Sequence, residues 1–281
     1  MSGTGPEAPM AGVAMTAIGV AVIRVRESDR PDRLYDDPLA RNFVAAARSG
    51  FLETEDGAQR WAQLEALADT FFEGRTVTVR LIDDQVTEAV AQGCRQVVVL
   101  GAGLDTRAFR LGLPADIRFF ELDLPELFAF KEPVLAGAVP TCDRRVVAAD
   151  LRGDWAEALR ANDFQPDVPT HWVDEGVLGY LSRADALRLA ERLTELSAPA
   201  SRFDVLRFAV DENPAQYSEL RRLVRAGHEG EDRLAGLGPD AEEWLADRGW
   251  HTTFRSWAEL VAPLGRPVDN PGVGLIIAVR A

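Results

Sequence analysis

The most constraining feature of the chain is a short apolar run, Gln96 to Leu100, that leads directly into Gly101-Ala102-Gly103. A β-branched run of this length is typical of a strand buried on both faces. The glycines allow the backbone to turn sharply and a ligand to approach it closely. A second apolar run ends at Asp123, twenty residues after Gly103. Strand, glycine turn, helix, strand and acid together predict a nucleoside-binding α/β sheet.

From residue 96 onward, apolar runs alternate with segments of helical pattern. Strands are predicted at 96–100, 117–122, 145–149, 169–174 and 202–210, and helices between them at 104–110, 125–137, 154–162 and 183–197. Such alternation indicates parallel strands joined by right-handed crossovers. Two late strands, at 251–254 and 274–280, complete a predicted seven-stranded sheet whose last strand is a reversed insertion.

The N-terminal third has a different pattern, with apolar residues at helical spacing and no strand candidates. We expect helices that are broken at Pro31, Pro38 and Gly50, followed by a longer helix from Arg75 to Gln92. The predicted division is a helical cap over residues 1–92 and an α/β core over 93–281. Within that core, the polar and arginine-rich segment at about 213–237 is expected to be a helical insertion near the mouth of the site.

Charge and cysteine content narrow the possible functions. The net charge of −14, from 45 acidic and 31 basic residues, argues against a nucleic-acid-binding surface, because phosphate binding requires clustered cations. Cys94 and Cys142 lack the spacing of a metal site and fit a reduced cytoplasmic protein. The apolar stretch from Met10 to Ile23 is too short to span a membrane, and we interpret it as a buried helix. The oligomeric state is left open.

Three ligands could occupy the glycine turn: NAD, FAD and S-adenosyl-L-methionine (SAM). A dinucleotide site favours a third glycine for close packing of helix and strand, and Thr106 stands at that position here. The pattern therefore favours SAM. A nicotinamide-dependent oxidoreductase remains the alternative, as does a tight strand–helix turn that binds no ligand.

Acidic residues follow three of the predicted strands, where an open sheet exposes its carboxyl ends. Asp123, next to Leu124, could take the ribose hydroxyls or could cap the next helix. Asp150, with the backbone amide of Leu151, could read the adenine edge or could be another cap. Glu175 could hold the SAM ammonium, although its pairing with a nearby arginine is the simpler alternative.

Several motifs, in this order, carry a resemblance to a known family: GAGLDTRAFRL, FELDLPE, AADLRGDW and EGVLGYL, preceded by PDRLYDDPLA and followed by WLADRGW. They resemble the leucine carboxyl methyltransferase family and its actinobacterial branch of SAM-dependent O-methyltransferases. The resemblance implies a class I SAM-methyltransferase fold, which is Rossmann-like with seven strands. It also implies methylation of a small acid or phenol of secondary metabolism, such as a polyketide carboxylate.

The resemblance also assigns the cofactor site. It places the amino-acid part of SAM against the glycine turn and assigns the ribose, the adenine and the amino group to the three acids named above. The implied cofactor residues are Gly101, Ala102, Gly103, Asp123, Leu124, Asp150, Leu151 and Glu175. An arginine before the first strand should bind the SAM carboxylate, and we favour Arg80 over Arg75.

The acceptor side of the site is less defined. A carboxylate acceptor is already ionised at neutral pH and needs no base, whereas a phenol benefits from one. We predict that Arg24 attracts an acidic acceptor, that Tyr180 lines the site and that His228 could act as a base. The acceptor would be a small molecule. A SAM-binding protein without turnover is the remaining alternative.

Overall fold

The computed structural model describes residues 12–207, 236–266 and 274–281. Its N-terminal part consists of three helices: α1 (Gly12–Ser28), α2 (Pro38–Leu52) and α3 (Gly57–Ala91). Helix α2 begins with a proline in its first turn, and the Asp37 carboxylate caps it by accepting a hydrogen bond from the Ala40 amide. At a helix start the first N–H groups have no partner within the helix. The carboxylate accepts a hydrogen bond from one of them, and the proline has no N–H group to leave unpaired.

Two helix boundaries predicted for this part are wrong. Gly50 lies inside α2, which ends only at Leu52, and the helix predicted to begin at Arg75 begins at Gly57 and runs for 35 residues. The buried face of α3 continues from Trp61 through Val77 to Val90, so packing supports one uninterrupted helix. A lone glycine costs a helix only about 1 kcal/mol, which such packing outweighs.

The rest of the described chain alternates strands and helices. The strands are β1 (Gln96–Leu100), β2 (Arg118–Asp123), β3 (Asp143–Ala148), β4 (Thr170–Asp174), β5 (Arg202–Arg207), β6 (Trp250–Ser256) and β7 (Gly274–Arg280). The helices are α4 (Arg107–Arg110), α5 (Pro125–Val134), α6 (Trp155–Ala161), α7 (Arg183–Glu195), α8 (Ala241–Ala246) and α9 (Trp257–Val261), with 3₁₀ turns at Leu178–Tyr180 and Ala262–Leu264.

The seven strands form one sheet in the order β3-β2-β1-β4-β5-β7-β6. The first five pair in parallel, and β7 is antiparallel to both of its neighbours. The predicted seven-stranded sheet with a reversed last strand is therefore confirmed. An all-parallel dinucleotide sheet has no such reversed strand, so the topology also weakens the oxidoreductase alternative.

Side chains of β1 show why its sequence is apolar throughout. Val97 and Val99 pack on one face with Ile82 of α3, while Val98 and Leu100 lie in the cluster that α6 and α7 cover on the other face. A strand that is buried on both faces needs this uninterrupted apolar run. No helix among the described residues has both the length and the apolarity to span a bilayer.

The helices α1 and α2 pack against the first half of α3, in a cluster that also includes Leu104 and Phe130. The second half of α3 packs against β1 in the core of the sheet. A boundary at residue 92 therefore assigns to the cap a helix that belongs to both clusters, and the division into cap and core stays a prediction. The predicted insertion at 213–237 lies almost entirely outside the described residues.

Candidate functional site

The sheet order brings the predicted cofactor residues to one edge. The glycine turn follows β1, Asp123 ends β2, Asp150 follows β3 and Glu175 follows β4. Because the strand order is β3-β2-β1-β4, the order along the carboxyl edge is Asp150, Asp123, glycine turn, Glu175. Neighbouring strands are about 4.8 Å apart, so these four strand ends span roughly 14 Å.

The glycine turn requires glycine at two positions. Gly101 has a φ of 63° and Gly103 a φ of 50°, in the left-handed region that side chains disfavour. A Cβ on Gly101 would lie 2.5 Å from Cγ2 of Val177, and one on Gly103 would lie 3.3 Å from Cβ of Ala17. The residue between them, Ala102, donates its amide to the Leu122 carbonyl. The turn is therefore held between the end of β4 and helix α1.

Asp123 ties this turn to β2. Its Oδ2 accepts a hydrogen bond from the Gly103 amide at 2.6 Å, and its Oδ1 accepts one from the Leu124 amide at 2.7 Å. Burial raises the pKa of Asp123 above its ordinary value, although these two amide bonds oppose the rise. Leu124, not Asp123, is the N-cap residue of α5. The alternative interpretation of Asp123 as a helix cap is therefore wrong.

Two adjacent acids at the end of β4 have different surroundings. Asp174 is buried, and its Oδ1 accepts hydrogen bonds from the amides of Gly176 and Leu178. Burial raises the pKa of Asp174 to about 6 despite these bonds. Glu175 is partly exposed, and its Oε2 accepts a hydrogen bond from Arg107 at 2.6 Å. The nearby arginine that the sequence left as an alternative is therefore present.

Arg107 belongs to a set of linked charges that sequence reasoning missed. It also donates to Asp83 of α3 and to Asp105, and Arg110 donates to both oxygens of Asp83. We call the set the Arg107 network; its members are Arg24, Asp37, Asp83, Asp105, Arg107, Arg110 and Glu175. One signal was available: Asp83 is an acid on the apolar face that α3 forms with Val79, Ile82 and Val86.

Within this network, the opposite charges shift the pKa values of Asp105 and Arg107. Burial acts to raise the pKa of Asp105, but Arg107, Lys131 and Arg110 together outweigh it and hold that pKa below its ordinary value. Burial likewise acts to lower the pKa of Arg107, and the surrounding carboxylates raise it well above the ordinary value. Asp105 and Arg107 therefore both stay ionised at neutral pH.

The two candidate arginines of α3 lie in different places. Nη1 of Arg75 donates to the backbone carbonyl of Glu175 at 3.1 Å, which puts this side chain at the end of β4. Arg80 instead pairs with Asp84 on its own helix and donates to the Leu34 carbonyl. The preference for Arg80 stays a prediction, and the observed contacts favour Arg75.

The remaining predicted residues have these positions. Arg24 is buried; it pairs with Asp37 at 3.0 Å and donates to the Leu104 carbonyl at 2.6 Å. Its charge is therefore already paired, and it links α1 to the loop after the glycine turn. Tyr180 is half-buried at the end of a 3₁₀ turn, and His228 lies outside the described residues. Their roles toward an acceptor stay predictions.

Asp150 and Leu151, at the β3 end of the edge, are both partly buried. Arg152 donates its amide to Asp150 Oδ1 and its guanidinium to both carboxylate oxygens. The bond from Arg152 lowers the pKa of Asp150, which keeps the acid ionised. Leu151 packs against the main core cluster. The pair is thus held at the carboxyl edge, and its adenine contact stays a prediction.

Comparisons with known proteins place the chain among methyltransferases. The model of the leucine carboxyl methyltransferase family matches residues 17–194. A candidate SAM-dependent methyltransferase of Parafrankia sp. is 41% identical over 98% of this chain and 89% of its own length. One from Frankia alni is 40% identical over 96% and 95%.

Two solved structures share the fold across almost the whole chain. A candidate methyltransferase from Thermobifida fusca superposes with a TM-score of 0.57 at 19% identity, covering 96% of this chain and 95% of its own. A DUF574 family protein from Streptomyces avermitilis has a TM-score of 0.58 at 17% identity, covering 96% and 98%. At such identities the likeness supports the fold alone.

Proposed function

The chain belongs to the leucine carboxyl methyltransferase family, and on this premise we propose that it is a SAM-dependent O-methyltransferase. The proposed acceptor is a small molecule, methylated on a carboxylate or a hydroxyl group. SAM-dependent methyl transfer is what the names of its relatives describe, whereas the choice of oxygen and the acceptor class are our inference.

The observation that carries the proposal is the order of groups along the carboxyl edge. From β4 to β3 this edge presents Glu175, the glycine turn, Asp123 and Asp150. SAM has the same linear order of chemical groups: an amino acid, a sulfonium, a ribose and an adenine. In this order, Glu175 and the glycine turn would face the amino acid, Asp123 the ribose and Asp150 the adenine.

The residues present fit such a ligand. Among the described residues Glu175 Oε1 accepts no hydrogen bond, so it can hold the ammonium, and Arg75 beside it can pair with the carboxylate. The carboxylate oxygens of Asp123 each accept one amide and retain a lone pair for a ribose hydroxyl. Asp150 and the Leu151 amide would contact adenine. When bound, SAM supplies a methyl group on a cationic sulfur.

The protein's part in the reaction is alignment and exclusion of water. Helix α1 lies against the glycine turn through Ala17 and Arg24, and so it covers this end of the site. A carboxylate acceptor needs no base, and the family is named for carboxyl methylation. Of the described histidines, His171 is buried against Asp204 and His251 lies on β6. Neither of these two histidines is therefore assigned as a base in our proposal.

Cofactor binding can be tested by calorimetry with S-adenosylhomocysteine. We expect binding in the wild-type protein and a loss of roughly tenfold or more in Asp123→Asn, because the carboxylate accepts in charge-assisted hydrogen bonds. Asp56→Asn is the matched control, since this exposed acid makes no side-chain cap bond. Absence of binding in the wild type, or equal affinity in both variants, would contradict the proposed site.

The acceptor class can be tested with SAM that carries a labelled methyl group. A panel of aliphatic acids, aromatic acids and phenols is offered, and each labelled product is treated with mild alkali. Methyl esters release the label under these conditions, whereas aryl methyl ethers keep it. We expect alkali-labile product. Transfer to nitrogen or carbon acceptors would contradict O-methylation, and no product from any acceptor would favour the non-catalytic alternative.

A further inference from the structure

Counted over the described residues, the Arg107 network holds one more negative than positive charge. Three guanidinium groups face four carboxylates, and six of these seven side chains are less than a tenth exposed. A net buried charge is costly unless a counter-charge compensates it. The only partly exposed member is Glu175, whose side chain is 18% exposed. Glu175 is therefore the member of the network at which a cation from solvent can compensate the unbalanced charge.

Arg107 determines which part of Glu175 stays available. Its Nη1 donates to Glu175 Oε2 at 2.6 Å and also to Asp105, while its Nε donates to Asp83 at 2.7 Å. These three carboxylates come from the loop after the glycine turn, from α3 and from the end of β4. A planar guanidinium with several fixed donors can bridge three elements in this way, whereas an ammonium is a point charge without that geometry.

We propose that Arg107 is a positioning residue for the cofactor ammonium. It fixes the Glu175 carboxylate through Oε2, so that Oε1 is the oxygen left to accept the ammonium, and it couples this carboxylate to the glycine turn through Asp105. This inference rests on the proposed function. It adds that the arginine in the Asp105-Thr106-Arg107 segment acts on the amino-acid end of SAM without contacting it.

The test compares two ligands that differ only in the part that Arg107 should affect. S-adenosylhomocysteine carries the amino acid, and 5′-methylthioadenosine carries the adenosine and sulfur without it. For Arg107→Lys we expect S-adenosylhomocysteine to bind roughly tenfold more weakly, because a fixed charged hydrogen bond is lost. 5′-Methylthioadenosine should keep its wild-type affinity. A general structural defect would weaken both ligands equally, and that result would overturn the proposal.

A double-mutant cycle gives a second readout. If Arg107 acts through Glu175, Arg107→Lys should cause no further loss of S-adenosylhomocysteine affinity in a Glu175→Gln background. Additive losses would contradict the coupling. Arg144→Lys is the matched control: Arg144 is also largely buried between two carboxylates, Glu121 and Glu132, and its variant should leave the affinities for both ligands unchanged.

Should Arg107→Lys fail to fold, Asp83→Asn tests the same idea while keeping the arginine. This variant weakens the anchor at Nε by replacing a charged acceptor with a neutral one, and we expect S-adenosylhomocysteine to lose less affinity than in Arg107→Lys, with no loss for 5′-methylthioadenosine. Equal effects on both ligands, or no effect on either, would again overturn the proposal. Failure of the wild type to bind S-adenosylhomocysteine is a separate result, which contradicts the proposed function itself.

Discussion

Two ionic clusters, both largely buried, differ in charge balance. The Glu121 cluster consists of Glu121, Lys131, Arg144 and Glu132, with two positive and two negative charges. Glu121 and Lys131 are fully buried. The Arg107 network has one negative charge in excess and one partly exposed acid. The Glu121 cluster is therefore neutral, whereas the Arg107 network is unbalanced among the described residues.

The difference in charge balance indicates which cluster stabilises the fold and which one also contributes to ligand binding. In a neutral cluster every charge is compensated within the protein, and a ligand adds no stabilisation. Disrupting such a cluster should therefore lower the free energy of unfolding without changing ligand affinity. An unbalanced cluster retains a charge for a partner, so its removal should affect ligand affinity as well. In the Glu121 cluster the only lysine of the chain is the buried counter-charge. We expect each variant below to separate these two roles.

The largest effect is expected for Lys131→Met. This change removes the fully buried counter-charge of Glu121 and leaves Arg144 as the one remaining cation of the cluster, shared between Glu121 and Glu132. We expect a loss of about 3–5 kcal/mol in the free energy of unfolding, measured in urea. The double variant Glu121→Leu, Lys131→Met should recover part of that loss. A single variant as stable as the wild type would contradict the assignment.

The second prediction concerns the pH dependence of stability at the carboxyl edge. The folded pKa of Asp174 is raised to about 6, so the folded protein binds this proton more tightly than the unfolded chain does. The resulting stabilisation is complete below the ordinary pKa and is lost as the pH rises through 6. We expect the free energy of unfolding of Asp174→Asn, measured in urea, to rise relative to that of the wild type by about 2 kcal/mol between pH 4 and pH 7.5. A pH-independent difference would contradict the raised pKa.

Two glycines allow the packing of the turn beside the Arg107 network to be tested. Gly101 and Gly112 both have a φ of 63°, but only at Gly101 would a Cβ collide with a side chain, that of Val177. Gly112→Ala should cost about 1 kcal/mol through backbone strain alone. Gly101→Ala should lower the free energy of unfolding by about 2 kcal/mol more than Gly112→Ala does, because the new Cβ overpacks the turn. It should also weaken the binding of S-adenosylhomocysteine. Equal thermal shifts in the two variants would contradict the close contact.

The smallest effect is expected for Arg144→Lys. The variant keeps the charge balance of the Glu121 cluster and loses only the fork geometry toward Glu121 and Glu132. We expect a loss of about 1 kcal/mol in the free energy of unfolding. Ligand affinity should not change. A marked loss of affinity would show that the two clusters do not have separate roles.

The strands and the turn could be predicted from sequence because their signals are local. Val97 to Leu100 is apolar on both faces, Gly101 and Gly103 permit the turn, and Asp123 ends the next apolar run. Helix ends were less predictable. The sequence predicts a break at Gly50 and a start of α3 that is 18 residues too late, because packing outweighs the weak local preference of a single residue.

By itself the sequence determined the family, the alternating strands and the acids that follow them, because each depends on residues that are neighbours in the chain. Only the tertiary structure decided which charges meet. Arg107 finds Asp83 at a separation of 24 positions and Glu175 at 68, and no local pattern records those distances. They arise because β4 lies next to β1 in the sheet and α3 packs across it, which brings both acids to the glycine turn.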